Sequence, residues 1–455
     1  MLGSDSLNNV DIMLGNPKKA LLNMSIPLVI SLLITSFYNL IDAAWVSGLG
    51  ADALAGVGFF TPIFMILVGF GNGLGSGAAF AISKYLGEDN KPKADNASLH
   101  SIFLDIIISL VITIVLLIFL NSILTVMGAG QTIGYATDYG EIILIGSIFI
   151  ILSNALYGIF RGEGDTTRPM YAMIASAVLN MILDPIFIYS LDLGVKGAAI
   201  ATVISSIFVI LILIYWFYFK KDTYLKPNLA NFIYKKDITF DIVKVGIPAS
   251  VQLLNNAFFA AVFSALLAFV GTTDSVAVYS TGWRIVTIGT TPLLAIGTAM
   301  ISVIAANYGA GNYGNIRIAH RYAMKISIAI SIVVMILTNV FAGDIASIFA
   351  SSGSSIRILG ELTAFLAWIV IYYPTMAVGV ASTYVFQGLG KGITAMFQTI
   401  MRETGFTIAF AVLLGVVLNF GVWGAWMGIV LGEVVSNNIT MIWADWEIKN
   451  LINQS

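Results

Sequence analysis

Cysteine is absent from the 455-residue sequence, and histidine nearly so, with only His100 and His320. Disulfide frameworks, thiolate chemistry, Cys-ligated metals and iron–sulfur clusters are thereby excluded, and a multi-histidine metal centre is not expected. Charge is also scarce. Asp, Glu, Lys and Arg make up 10% of the residues, where a soluble globular chain carries roughly a quarter. There is no Gly-x-x-x-x-Gly-Lys-Ser/Thr loop to cradle a nucleotide. What fills the chain is apolar: 58% of residues are hydrophobic and the mean hydropathy is +0.93.

That apolar content is blocked into runs. A membrane-spanning helix needs about 20 mainly apolar residues, and twelve such runs lie between residues 21 and 444, among them 135–160, 362–386 and 396–415. The first twenty residues are polar, end in Asn16-Pro17-Lys18-Lys19 and lack the form of a cleavable signal. Basic residues fix the expected orientation. If both termini are cytoplasmic, the inner segments hold Lys18, Lys19, Lys84, Lys91, Arg161, Arg168, Arg317, Arg402 and Lys449, whereas the outer side keeps only Lys196 and Arg357. This is the positive-inside pattern of a multi-pass protein of the plasma (cytoplasmic) membrane.

The two halves repeat. Ser25-Ile26-Pro27 matches Gly246-Ile247-Pro248, and Gly87-Glu88-Asp89-Asn90 matches Gly309-Ala310-Gly311-Asn312. Phe160-Arg161-Gly162-Glu163-Gly164 matches Phe386-Gln387-Gly388-Leu389-Gly390, and Gly194-Val195-Lys196-Gly197-Ala198 matches Gly421-Val422-Trp423-Gly424-Ala425. Six spans per unit is an even number, so both halves enter the membrane the same way and form a parallel repeat. The expected fold is an all-α polytopic membrane protein with twelve transmembrane helices in two pseudo-symmetric six-helix lobes. The divisions are a cytoplasmic segment 1–20, an N-lobe 21–219, a linker 220–241, a C-lobe 242–444 and a tail 445–455.

Ionisable side chains in hydrocarbon are costly, so each one is a functional candidate. Counting along the helix rise, Asp42 and Asp184 each fall about six residues before the outer ends of spans one and five. Thr202 and Tyr139 fall about seven and about four residues past the outer starts of spans six and four. Tyr38 and Asn180 sit one turn below the two acids. These residues share one depth and make an oxygen-rich pocket suited to Na⁺ at Asp42, Asn180, Asp184 and Thr202, or to a proton shared between carboxylates. Simple interhelical hydrogen bonding is the bland alternative. The second half offers no matching set: Phe406 and Phe410 align with Asn180 and Asp184, and Phe263 with Asp42. It supplies instead Gln252, Asn255, Asn256, Trp283, Arg284 and Glu433 as candidates to line a central cleft. Asp105 is expected to reach the membrane interface, and Arg161-Gly162-Glu163-Gly164-Asp165 to form an interfacial turn. Pro27, within span one, removes a helical hydrogen bond and is a candidate hinge. Gly69, Gly71, Gly73, Gly75 and Gly77 carry GxxxG spacings that suit close helix packing.

The runs Ser25-Ile26-Pro27, Tyr38-Asn39-Leu40-Ile41-Asp42 and Trp45-Val46-Ser47-Gly48-Leu49-Gly50 resemble span one of the multidrug and toxic compound extrusion (MATE) family. Leu179-Asn180-Met181-Ile182-Leu183-Asp184-Pro185 and Gly194-Val195-Lys196-Gly197-Ala198-Ala199 resemble its fifth and sixth spans, closest to a DinF-like prokaryotic branch. The resemblance implies a non-enzymatic secondary transporter, a monomer that exports amphipathic, often cationic drugs by Na⁺ or H⁺ antiport. It implies no cofactor beyond the coupling ion, contact with membrane lipid and no nucleic-acid partner. It places the cation site at Asp42, Asn180, Asp184 and Thr202, with Tyr38 and Tyr139 around them and Pro27 as the kink.

Two rival readings are a lipid-linked saccharide flippase of related architecture and an intramembrane transferase. The first expects several cations in the cavity, and Arg284 is the one basic residue the sequence places clearly inside a span. The second expects an acid cluster or a deep histidine, and no DDxxD motif is present.

Overall fold

A computed structural model describes residues 3–220, 222–350 and 353–454, which are helical throughout with no strand among them. A short α1 (Gly3–Gly15) leads into α2 (Pro17–Ser47), α3 (Ala51–Gly87) and α4 (Lys91–Val126). The next span is broken into α5 (Ile133–Ile145) and α6 (Ser147–Gly162), followed by α7 (Thr167–Pro185) and α8 (Val195–Ile214). The second half repeats the order: α9 (Lys236–Val270), α10 (Thr273–Gly309), α11 (Tyr313–Val340), the short α12 (Ala342–Phe349), a broken α13 (Leu359–Ile369) and α14 (Tyr372–Gly388), α15 (Gly392–Ile400) and α16 (Thr407–Val412), and α17 (Gly421–Gln454).

Ten units are long and apolar enough to span a membrane unbroken, and two bent pairs bring the number to twelve. The bends, 52° between α5 and α6 and 49° between α13 and α14, fall at the fourth span of each half; the sequence reading took both as continuous helices. Matched turns also share their backbone. Asp89 and Gly311, Gly164 and Gly390, and Gly194 and Gly421 all have positive φ.

The offset between matched residues grows along the chain, from 221 at Pro27 and Pro248 to 222 at Gly87 and Gly309, and it takes one last step from 226 at Phe160 and Phe386 to 227 at Gly194 and Gly421. Both halves have a π turn just before that last motif, at Ile186–Ser190 and Leu413–Val417. The second half has another at Met401–Phe406, without a partner in α7. A π turn closes i→i+5 bonds and takes up one extra residue. With that residue accounted for, Asn180 and Asp184 correspond to Thr407 and Ala411, not to Phe406 and Phe410, and all four are buried.

The lobes meet along the half nearest the face that carries both chain ends, here called the terminal face. The α3 glycines divide between two partners. Gly71 and Gly75 press on α6 at Asn154, within their own lobe, whereas Gly73 and Gly77 press on α9 at Ser250 and Ile242, in the other. Farther along, Gly87 abuts Ala306 and Gly309 abuts Lys84. Small residues let the backbones touch. Ion pairs between Asp241 and both Lys84 (2.8 Å) and Lys244 (2.5 Å), and a hydrogen bond from Tyr85 to Asp241 (2.7 Å), close the rim. The N-terminal helix spans the same seam: Asn307 and Asn315 donate to Met13 O and Leu14 O, each at 2.9 Å.

Candidate cation site and cleft

Tyr38 and Asp42 come from α2, Tyr139 from α5, Asn180 and Asp184 from α7 and Thr202 from α8, and the fold gathers all six into one cluster. Asp184 and Asn180 are fully buried, Thr202 and Tyr139 nearly so, and Asp42 is half-buried. The Asp42 and Asp184 carboxyl groups lie within hydrogen-bond reach of each other. With its amide nitrogen turned toward Asp184, Asn180 donates to Asp184 Oδ2 at 2.7 Å and accepts from Thr202 N at 3.2 Å. The Tyr38 and Tyr139 side chains both reach Thr202, and Tyr139 is fixed edge-on against Phe60 at 5.6 Å. One oxygen of each acid, Asp42 Oδ1 and Asp184 Oδ1, is buried without a hydrogen-bond partner.

Two carboxylates in contact repel unless a cation lies between them, and the orphaned oxygens are where it would be held. The donors are all hard oxygens, which fit Na⁺ or a proton. Among the described residues no group of three or more His, Asp or Glu converges to hold a metal ion.

Pro27 lies buried in the terminal half of α2, which continues through it. The carbonyls around it are occupied: Thr166 Oγ1 donates to Met24 O at 3.0 Å and Ser31 Oγ to Pro27 O at 2.8 Å.

The second lobe holds a buried ionic cluster of which the sequence reading named Asn255, Asn256 and Glu433 but not Arg402 or Glu403. The π turn at Met401–Phe406 directs Arg402 and Glu403, adjacent in sequence, into the lobe interior. Arg402 Nη2 lies 2.7 Å from Glu403 Oε1, and its Nη1 lies 3.5 Å from Glu433 Oε2. Asn255 donates to Glu403 at 2.9 Å, and Asn256, with its amide turned, lies within 3.1 Å of both Glu403 oxygens. Asn437 donates to Glu433 at 2.7 Å. Two carboxylates around one guanidinium leave a formal charge of minus one. Beside them runs an aromatic wall, with Trp283 5.5 Å from Tyr279 and 5.3 Å from Tyr372.

Arg402 is therefore no part of the inner basic set, being 7% exposed inside its span. The missed signal was an Arg-Glu pair inside the apolar run 396–415. Of the other cleft candidates, Gln252 bonds Gln387 and Thr399, both at 3.2 Å, tying helices together, and Arg284 is exposed, away from the cluster. Arg161 and Glu163 are buried within the protein, and so is Asp105, at 1% exposure. Arg284 is thus not the sole cation within a span.

The MatE family pattern matches residues 27–186 and 248–416, one copy in each lobe. The multidrug export protein MepA of Staphylococcus aureus (strain MRSA252) is 28% identical over 403 residues, covering 88% of this chain and 85% of that one. A MATE transporter solved in complex with MaL6 superposes with a TM-score of 0.95 at 36% identity, covering 98% of this chain and 99% of the other. A MOP superfamily transporter from Pyrococcus furiosus Vc1 (DSM3638), whose binding pocket is described as having reversed polarity that suggests a different function, superposes with a TM-score of 0.94 at 36% identity, covering 97% and 98%. Two acids from separate helices in one lobe, a two-lobed repeat of twelve spans and a family pattern falling once on each repeat agree: the chain belongs to the MatE family of membrane transporters.

Proposed function

We propose that this transporter exports amphipathic organic cations across the plasma membrane in exchange for inward-moving Na⁺ or H⁺, with the terminal face in the cytoplasm. The observation that carries the reading is the contact between Asp42 and Asp184, each with one orphaned oxygen. A cation arriving from the far side relieves their repulsion and alters how α2, α7 and α8 pack. The drug leaves the cleft, the lobes rock, and the cation departs into the cytoplasm before the next drug binds. Coupling requires only that drug and cation favour opposite conformations. The C-lobe wall suits the cargo: its residual negative charge and the Trp283, Tyr279 and Tyr372 rings attract a cation with apolar rings attached.

The test is efflux of a fluorescent cationic dye from proteoliposomes under an imposed Na⁺ or H⁺ gradient. Wild type is compared with Asp42→Asn and Asp184→Asn. Loss of gradient-driven efflux in both variants, with folding intact, is expected. Equal efflux in the variants would remove the pocket from the mechanism. Arg161 and Arg402, both buried within spans, keep lipid-linked saccharide flipping as the second reading. Lipid translocation without dye movement would favour it.

A further inference from the structure

Helix α4 of the first lobe carries a buried acid that the transport scheme does not use. On α4, Ser98, Ser101, Asp105, Ser109 and Thr113 recur every three or four residues and so share one helix face. Exposure is 0% at Ser98 and Ser109 and 1% at Ser101 and Asp105. The serine hydroxyls bond their own helix, at Ala94 O (3.2 Å), Ala97 O (2.9 Å) and Ile106 O (2.9 Å), and Thr113 bonds Ser147 of α6. Hydroxyls of this kind are ordinary in membrane helices and carry nothing alone.

Asp105 is different. Both of its oxygens are buried, and neither has a hydrogen-bond partner. No ion pair reaches it from the helices packed against α4, whose titratable groups include Lys84 and Tyr85 (α3), Tyr139 and Glu141 (α5), Tyr157 and Arg161 (α6) and Asp241 (α9). An uncompensated charge is costly at such a site. An acid with both oxygens unpartnered is not structural glue.

The row has two ends. Ser98 lies near the terminal face, about 22 Å from Thr113 along the helix. At the other end Ser147 follows Gly146, which is pressed so closely on Val203 that a Cβ would meet its Cγ2 at 2.3 Å. Val203 follows Thr202 on α8, so the Ser147 end of the row packs against the helix that supplies Thr202 to the acid pocket. Steps of about 5–6 Å between successive hydroxyls are of the length that a single bridging water spans.

We propose that Asp105 is a proton relay, through which protons bound at the Asp42–Asp184 pair leave for the terminal face along the hydroxyl row of α4. The proton from the pair passes by Ser147 and Thr113 to Asp105 while the one on Asp105 leaves by Ser101 and Ser98, so charge and atoms balance. This rests on the pocket reading above and names H⁺ as the ion.

The test follows lumenal pH in proteoliposomes, with pyranine inside, during dye exchange by the full chain. Asp105→Asn is expected to slow proton release at least tenfold with the dye KM unchanged. Asp105→Ser, which keeps the hydroxyls, is expected to be equally slow, and Asp105→Glu to recover most of the rate. Wild-type release in both Asp105→Asn and Asp105→Ser, with Asp42→Asn inactive, overturns the relay and leaves the pocket standing. Wild-type release in Asp42→Asn as well removes the pocket itself. Dye exchange driven by Na⁺ without a lumenal pH change, or a joint loss of dye binding and proton release that Asp105→Glu does not restore, also overturns the relay.

Discussion

Lys84 of α3 and Asp241 of α9 lie 2.8 Å apart across the seam between the lobes. Their side chains are 19% and 9% exposed, so the pair is only partly screened. Asp241→Asn removes about 1 kcal/mol of attraction, enough to raise the population of the separated seam about fivefold. The native chain has no cysteine, so Ser250→Cys gives a single reporter at the seam. Its labelling by a membrane-impermeant thiol reagent from the terminal face is expected to accelerate when Asp241→Asn is added. An unchanged rate would mean that the glycine contacts alone hold the lobes together.

The glycines of α3 predict two distinct defects. A Cβ at Gly77 would lie 2.2 Å from Ile242 O, in the other lobe, whereas one at Gly75 would lie 2.7 Å from Asn154 O, in its own. Gly77→Ala is expected to hold the seam ajar, with faster labelling at Ser250→Cys and several-fold slower efflux, and to leave thermal stability nearly intact. Gly75→Ala is expected to lower the unfolding temperature in detergent instead. Identical behaviour of the two would contradict the division of α3 between lobes.

In the second lobe, Arg402→Ala strands Glu403 and Glu433 without a counter-ion. Breaking a buried pair from one side costs roughly 3–5 kcal/mol, so a marked fall in unfolding temperature is expected. The triple variant Arg402→Leu, Glu403→Gln, Glu433→Gln removes the charges together and is expected to recover most of the loss. If it does, and transport of cationic dyes still fails, the cluster serves the cargo and not the fold.

Glu163 gives a pH dependence. It lies just beyond α6, its Oε2 accepts from Leu225 N at 2.9 Å, and it is wholly buried. Burial, reinforced by Asp165, pushes its carboxyl up to about 8, against the opposing pull of the Leu225 N–H and Arg168. The docked form therefore favours the protonated acid. Its stabilisation is complete below the ordinary value of 4.5 and is lost as pH rises through about 8. Proteolysis of the segment 222–235 is expected to quicken over that range and to become nearly independent of pH in Glu163→Gln.

Runs of apolar residues and the asymmetry of lysine and arginine were enough to read twelve spans and two repeats, because hydrocarbon thickness and backbone hydrogen bonding leave few alternatives. Asp42, Asn180, Asp184 and Thr202 were legible as neighbours because their depths coincide. The bend at the fourth span of the first half was not, since no proline marks the break at Gly146 and the apolar run continues through it. Arg402 and Glu403 were hidden for a different reason. A regular helix would send adjacent side chains about 100° apart, so no periodicity argument turns both inward. Asp105 was misplaced because a lone acid in the inner part of a span reads as reaching for water, and only packing shows that it is buried.

The unmatched π turn at Met401–Phe406 bears on the history of the chain. One surplus residue, absorbed where it entered, leaves every later position of the duplicated helix in phase with its twin, so Thr407 and Ala411 still occupy the places of Asn180 and Asp184. One copy thus carries a charged pair in that turn without the rest being redrawn. Duplication supplied two matching helices here, and a change of a single codon's length in one of them left Arg402 and Glu403 where the other carries only Ala175, Ser176 and Ala177.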